Sequence, residues 1–129
     1  MKNRVVYLVQ EPTKSVLDLT SAHEYGRIET LLTSSDRPTH APGPCLKILR
    51  DKLAGMKKDD FIMWAGGDMT GVFLAGLVIA ELPFKQINVL RWERQINLEG
   101  ERTGKGFYMP VTVNKQELFV ARKDHELYD

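Results

Sequence analysis

Apolar residues in this chain gather into short runs, and the polar stretches between them set an order of elements. The most informative stretch is Asp60–Leu82. Phe61–Ala65 is apolar, with charges before it and glycines after it, which is the pattern of a buried strand. Gly66–Gly71 (GGDMTG) reads as a turn. Val72–Ala80 carries no charged residue and predicts a helix buried on nearly every side. Upstream, Arg4–Val9 is β-branched and aromatic and predicts a first strand, ended by Pro12. Asp18–Gly26 predicts one helical turn, capped by Thr20 or Ser21 and stopped by Gly26. Arg27–Thr33 is a second strand candidate, and Ser34–Pro44, with three prolines and a glycine, is a loop.

From Pro44 to near Gly55 the chain predicts an amphipathic helix. Leu46, Leu49, Leu53 and Met56 share a face, with Cys45 and Ile48 beside them, and Lys47, Arg50, Asp51 and Lys52 point outward. After Pro83, the first half of Gln86–Ile96 is apolar on both faces and the second half alternates, as in a strand leaving the core. Asn97–Gly106 reads as a hairpin loop and Phe107–Val113 as the returning strand, placed at an edge by Pro110. Lys115–Asp129 fits a docked helix or a loose tail equally well.

This order predicts an α/β domain over residues 1–114, followed by a carboxyl-terminal extension over residues 115–129. The expected architecture is Rossmann-like and three-layered. It has a mixed, mostly parallel sheet with helices on both faces and an antiparallel final strand. In such sheets ligands sit beyond the carboxyl ends of the strands. That rule points at Gly66–Gly71, and also at Gln10–Thr13 if the first strand lies beside the third.

Composition narrows the function classes. The chain has 129 residues, 43% hydrophobic and 27% charged, enough for one core without disulfides or a metal. A net charge of +1 gives no indication of a dedicated nucleic-acid binder. The single cysteine, Cys45, forms no internal disulfide and fits a reducing compartment. The first apolar run is too short for a signal peptide, and Val72–Ala80 is too short to span a membrane.

Two places stand out chemically. Gly66 and Gly71 have the spacing of a Walker loop, but Val72 and Phe73 stand where the lysine and the hydroxyl are required. A weaker phosphate nest would use Gly66 and Gly67, with Asp68 on a sugar hydroxyl and Thr70 on phosphate. The plainer alternative makes Asp68 or Thr70 the N-cap of the following helix. The second place is Arg91-Trp92-Glu93-Arg94. Alternation sets Trp92 and Arg94 on one face, as a partner surface or as a core tryptophan among solvated charges. His23, His40 and His125 lack metal-ligand spacing, and no catalytic set or cofactor motif is found. The uncharged helix would also suit a homodimer, with Gly71, Ala75 and Gly76 allowing close approach.

The segments YLVQEP, APGPCLKILRDKL, GGDMTGVFLAGLVIAEL, NVLRWERQ and YMPVTVN together resemble a family of small uncharacterised proteins of tailed bacteriophages. The resemblance covers Val5–Asn114. It implies a phage accessory protein acting in the host cytoplasm and carries no reaction, cofactor or site residue with it. The expectation is a non-catalytic protein that engages a host or phage macromolecule during infection, a protein ahead of a nucleic acid, which the charge does not indicate. The alternative is a protein that binds, sequesters or hydrolyses a nucleotide or other phosphate ligand at Gly66–Gly71.

Overall fold

A computed structural model describes residues 3–12 and 18–117. Residues 118–129, most of the expected extension, lie outside the described residues. Five strands form one sheet: β1 (Val5–Gln10), β2 (Arg27–Leu32), β3 (Phe61–Met63), β4 (Gln86–Ile96) and β5 (Arg102–Asn114). Their spatial order is β2-β1-β3-β4-β5. The first four are parallel to their neighbours, and β4 pairs with β5 antiparallel. This is the mixed, mostly parallel sheet with an antiparallel final strand that the pattern predicts.

Helix α1 (Pro42–Leu53) joins β2 to β3, and α2 (Met69–Ala80) joins β3 to β4. Side-chain alternation along β1 separates two cores. Val5, Tyr7 and Val9 face a cluster that contains Cys45, Leu49 and Leu53 of α1 and Leu74, Ala75 and Val78 of α2. Val6 and Leu8 face the other cluster, with Phe61, Met63, Leu90 and Tyr108, closed from outside by Leu19, Ala22 and Tyr25. Both described α-helices therefore share one face, and among the described residues the other face carries one 3-10 turn, Ala22–Glu24. Right-handed crossover explains the split. The chain moves outward from β1 to β2 and then returns across β1 to β3, so the first connection falls on the opposite face from the next two.

Several expected boundaries move. β3 has three residues rather than five, and Trp64 just after it is exposed. Pro42, two residues before Pro44, already belongs to α1. β5 begins at Arg102, so only Asn97–Glu101 turns the hairpin. Ser21 sits at the start of the 3-10 turn, but its Oγ accepts from Tyr108 N (2.8 Å) and not from its own turn. The helix expected to be buried on nearly every side is not. Leu74, Ala75, Val78 and Ile79 are buried, whereas Met69, Phe73, Gly76, Leu77 and Ala80 form an exposed stripe. Of the two described α-helices, α2 is the outer one on that face, and no described element covers its far side.

At the amino end of the sheet the buried Asp60 carboxylate accepts from Val5 N (2.9 Å) and Lys57 N (2.8 Å). It ties β1 to the turn before β3. Among the described residues no helix is long and apolar enough to cross a membrane.

Candidate functional site

The strand order reverses between β1 and β3, so their carboxyl ends form the switch-point crevice. Gln10 ends β1 there and is only 4% exposed. Its Nε2 donates to the carbonyls of Thr33 (3.1 Å) and Asp36 (2.9 Å), and its Oε1 accepts from Asp68 N (3.0 Å). One side chain thus joins β1, the loop after β2 and the glycine turn after β3.

The turn itself depends on glycine. Gly66 and Gly67 both have φ near +85°, a conformation glycine adopts without steric cost. A Cβ on Gly67 would lie 2.8 Å from Gln10 Oε1. Asp68 follows as the N-cap of α2, its Oδ1 accepting from Thr70 N at 2.9 Å. The same carboxylate accepts from Thr39 Oγ1 (2.8 Å) and Thr39 N (2.9 Å), and Thr39 Oγ1 also meets Thr70 Oγ1 (2.8 Å). The Thr39 hydroxyl, then the Thr39 and Thr70 N–H groups, hold the Asp68 carboxyl down to about 2.

These bonds define what the turn can do. Of the four residues named for a phosphate nest, Asp68 and Thr70 are engaged with each other and with Thr39. Asp68 N and Gly71 N already have acceptors, in Gln10 Oε1 and Asp68 O. A carboxylate, ionised at any ordinary pH, stands where an incoming anion would sit. Gly71 packs against Pro38, Leu32 and Val9, so it serves packing and is not open for helix approach; the same holds for the buried Ala75.

The second candidate, Arg91-Trp92-Glu93-Arg94, lies on a different part of the molecule. β3 pairs with β4 only as far as Leu90, so Arg91–Ile96 have β5 as their one strand neighbour. At ~3.3 Å per residue these six residues form a ribbon projecting about 20 Å past the sheet. Trp92 pairs across it with Tyr108, ring centroids 5.0 Å apart and planes at 66°. Its indole also lies over Gly106, where an added Cβ would come within 2.4 Å of the ring. Trp92 remains 39% exposed. Arg94 is exposed on the same face, and on the opposite face Arg91 pairs with Glu93. Phe107, paired with Glu93, is exposed on that opposite face, and Ile96 and Leu98 are exposed toward the tip, with Leu98 fully in solvent at 102%.

Sequence reasoning did not single out Gln10 beyond a general pointer to Gln10–Thr13, nor the apolar tip Ile96–Leu98. Cys45 is a packed core thiol whose pKa is pushed up, chiefly by burial. His23 and His40 lie apart, and His125 lies outside the described residues. Among the described residues no group of three or more His, Cys, Asp or Glu is placed to hold a metal ion.

The family model for Phage Pam3 gp32-like protein matches residues 4–103. The chain belongs to that family. The matched region includes the whole parallel sheet, Gln10, the glycine turn and Arg91–Arg94, and it ends just inside β5. This agrees with the phage resemblance read from the segments above. No curated protein and no solved structure matches the chain.

Proposed function

We propose that this phage protein is a non-catalytic binding protein that engages a host or phage protein in the host cytoplasm, through the β4–β5 ribbon. One observation carries the reading: a half-exposed tryptophan, seated on Gly106 and Tyr108, lies on a ribbon that ends in exposed Ile96 and Leu98. Tryptophan and arginine are the residues most enriched at binding hot spots, and a Trp already held by its neighbours loses little freedom on binding. A protein partner fits better than nucleic acid, because the net charge is +1 and Arg91 is neutralised by Glu93. The phosphate-ligand alternative is weaker, because the Asp68 carboxylate already fills the mouth of the turn.

Photo-crosslinking in infected cells tests this reading. A photoreactive residue replacing Leu98 on the ribbon should give a discrete adduct with one protein. The same residue at Lys47, exposed on α1, should give none. Adducts at Lys47 but not at Leu98 would refute the ribbon as the binding surface.

A further inference from the structure

An open cavity lies at the amino ends of β3 and β4, away from both the glycine turn and the projecting ribbon. Its volume is about 540 Å³, inside the range of roughly 300–1,000 Å³ found for small-molecule sites. Three of its lining residues belong to the sheet. Gln86 and Asn114 stand directly opposite each other on β4 and β5, and Asn88 follows two residues along β4 on the same face. Asparagine is unfavourable in strands, yet Asn88 sits in an interior one, between β3 and β5. The apolar cluster on that face includes Phe61 and Leu90 but none of the three amides. Two of the amides are held in place by the backbone. Asn88 Nδ2 donates to Lys58 O (3.1 Å) and Asp60 O (3.4 Å), which leaves its Oδ1 as an acceptor. Asn114 Oδ1 accepts from Gln116 N (2.9 Å), which leaves its Nδ2 as a donor.

The charges of the lining favour an anion. Lys58 and Lys85 both line the cavity, and neither ammonium has an ion-pair or hydrogen-bond partner among the described residues. Asp59 stands against them on the same wall, which leaves the lining net positive. Helix α2 ends nearby, and bare carbonyls at a helix carboxyl end repel an anion. Those carbonyls are covered: the Lys115 ammonium donates to Ile79 O and Ala80 O (both 3.3 Å) and to Leu82 O. At the other end of the sheet the carboxylates of Glu11, Asp36 and Asp68 surround the glycine turn. We propose that the cavity binds a small organic phosphate, a phosphomonoester on a polar body of sugar or nucleoside size. Lysine meets phosphate as a point charge, whereas the planar grip on a carboxylate belongs to arginine, which the described lining lacks. The cavity is larger than a bare phosphate ion needs. For the rest of the ligand, Gln86, Asn88, Asn114 and Gln116 supply donors and acceptors, and Phe84 supplies an apolar wall. The inference is independent of the ribbon, which lies at the far end of β4.

Calorimetric titration of the full-length chain tests it, with adenosine monophosphate and glucose phosphate as probes, each beside its unphosphorylated parent. Saturable binding of at least one phosphate is expected, with the parent at least about tenfold weaker and the affinity falling as ionic strength rises. Binding of adenosine monophosphate alone supports the proposal with a nucleoside body, and binding of glucose phosphate alone supports it with a sugar body. The double variant Lys58→Gln/Lys85→Gln should bind at least about tenfold more weakly, because its charge-assisted hydrogen bonds to phosphate are lost. Both side chains are exposed, so the variant should keep the native thermal midpoint. Lys47→Gln, exposed on α1 and outside the cavity, should leave binding unchanged. No saturable binding of either phosphate up to about 1 mM, equal binding of the unphosphorylated parents, or undiminished binding by the double variant would each overturn the proposal.

Discussion

Gln10 and Asp68 together hold the carboxyl end of the sheet, and each makes a separate prediction. Gln10→Leu preserves size but leaves the carbonyls of Thr33 and Asp36 and the Asp68 N–H without their partner. An expected loss of about 2 kcal/mol follows from stranding partly buried polar groups, read as a lower urea midpoint with unchanged slope. Asp68 is held to about 2 in the folded protein, below its ordinary 3.8. Its stabilising contribution is therefore complete above about pH 4 and disappears as pH falls through about 2. Thermal midpoints of the native chain and Asp68→Asn should differ at neutral pH and converge between these values. A constant difference would show that the Thr39 and Thr70 contacts do not depend on charge. Asp68 was legible as a cap because its partner Thr70 is two residues away. Gln10 was not, because its partners lie 23, 26 and 58 residues along the chain.

Among the elements, β4 was legible to its end residues because its hydrophobic pattern records the change from buried sheet to free ribbon. β5 was not. Gly104 and Gly106 read as loop signals, yet Gly106 is required inside the strand because the Trp92 indole occupies the space a side chain would take. The limit at α2 was different. Its uncharged sequence showed that it is apolar all round but not which face lacks a neighbour, since that depends on how many helices share the sheet. Met69, Phe73 and Leu77 remain on its crest, with Phe73 65% exposed. A crest without charge favours pairing with its own copy. Light scattering of the full chain at micromolar concentration should give more than one chain per particle, and Phe73→Lys a single chain. A concentration-independent monomer for the unaltered chain would remove self-association from the account.

For the whole molecule, the α/β class and the antiparallel last strand followed from element order alone. The placement of both described α-helices on one face did not, because strand order decides on which side each crossover falls. The result is a rigid sheet whose switch-point crevice is stitched shut by its own side chains, with exposed aromatic and aliphatic surface displaced onto a projecting ribbon. That division is the basis for reading the protein as a binder and not a catalyst. The most direct test is a titration of the purified partner, identified through the Leu98 adduct, against the native chain and against Trp92→Ala. Because Trp92 keeps 39% of its surface exposed, its truncation should cost folding less than the roughly 3–5 kcal/mol of a fully buried tryptophan, and the protein should remain folded. The account predicts at least about a thirtyfold loss of affinity, the scale of a 2 kcal/mol hot spot, in a protein that still unfolds in one cooperative transition. Unchanged affinity in a folded Trp92→Ala protein would contradict it.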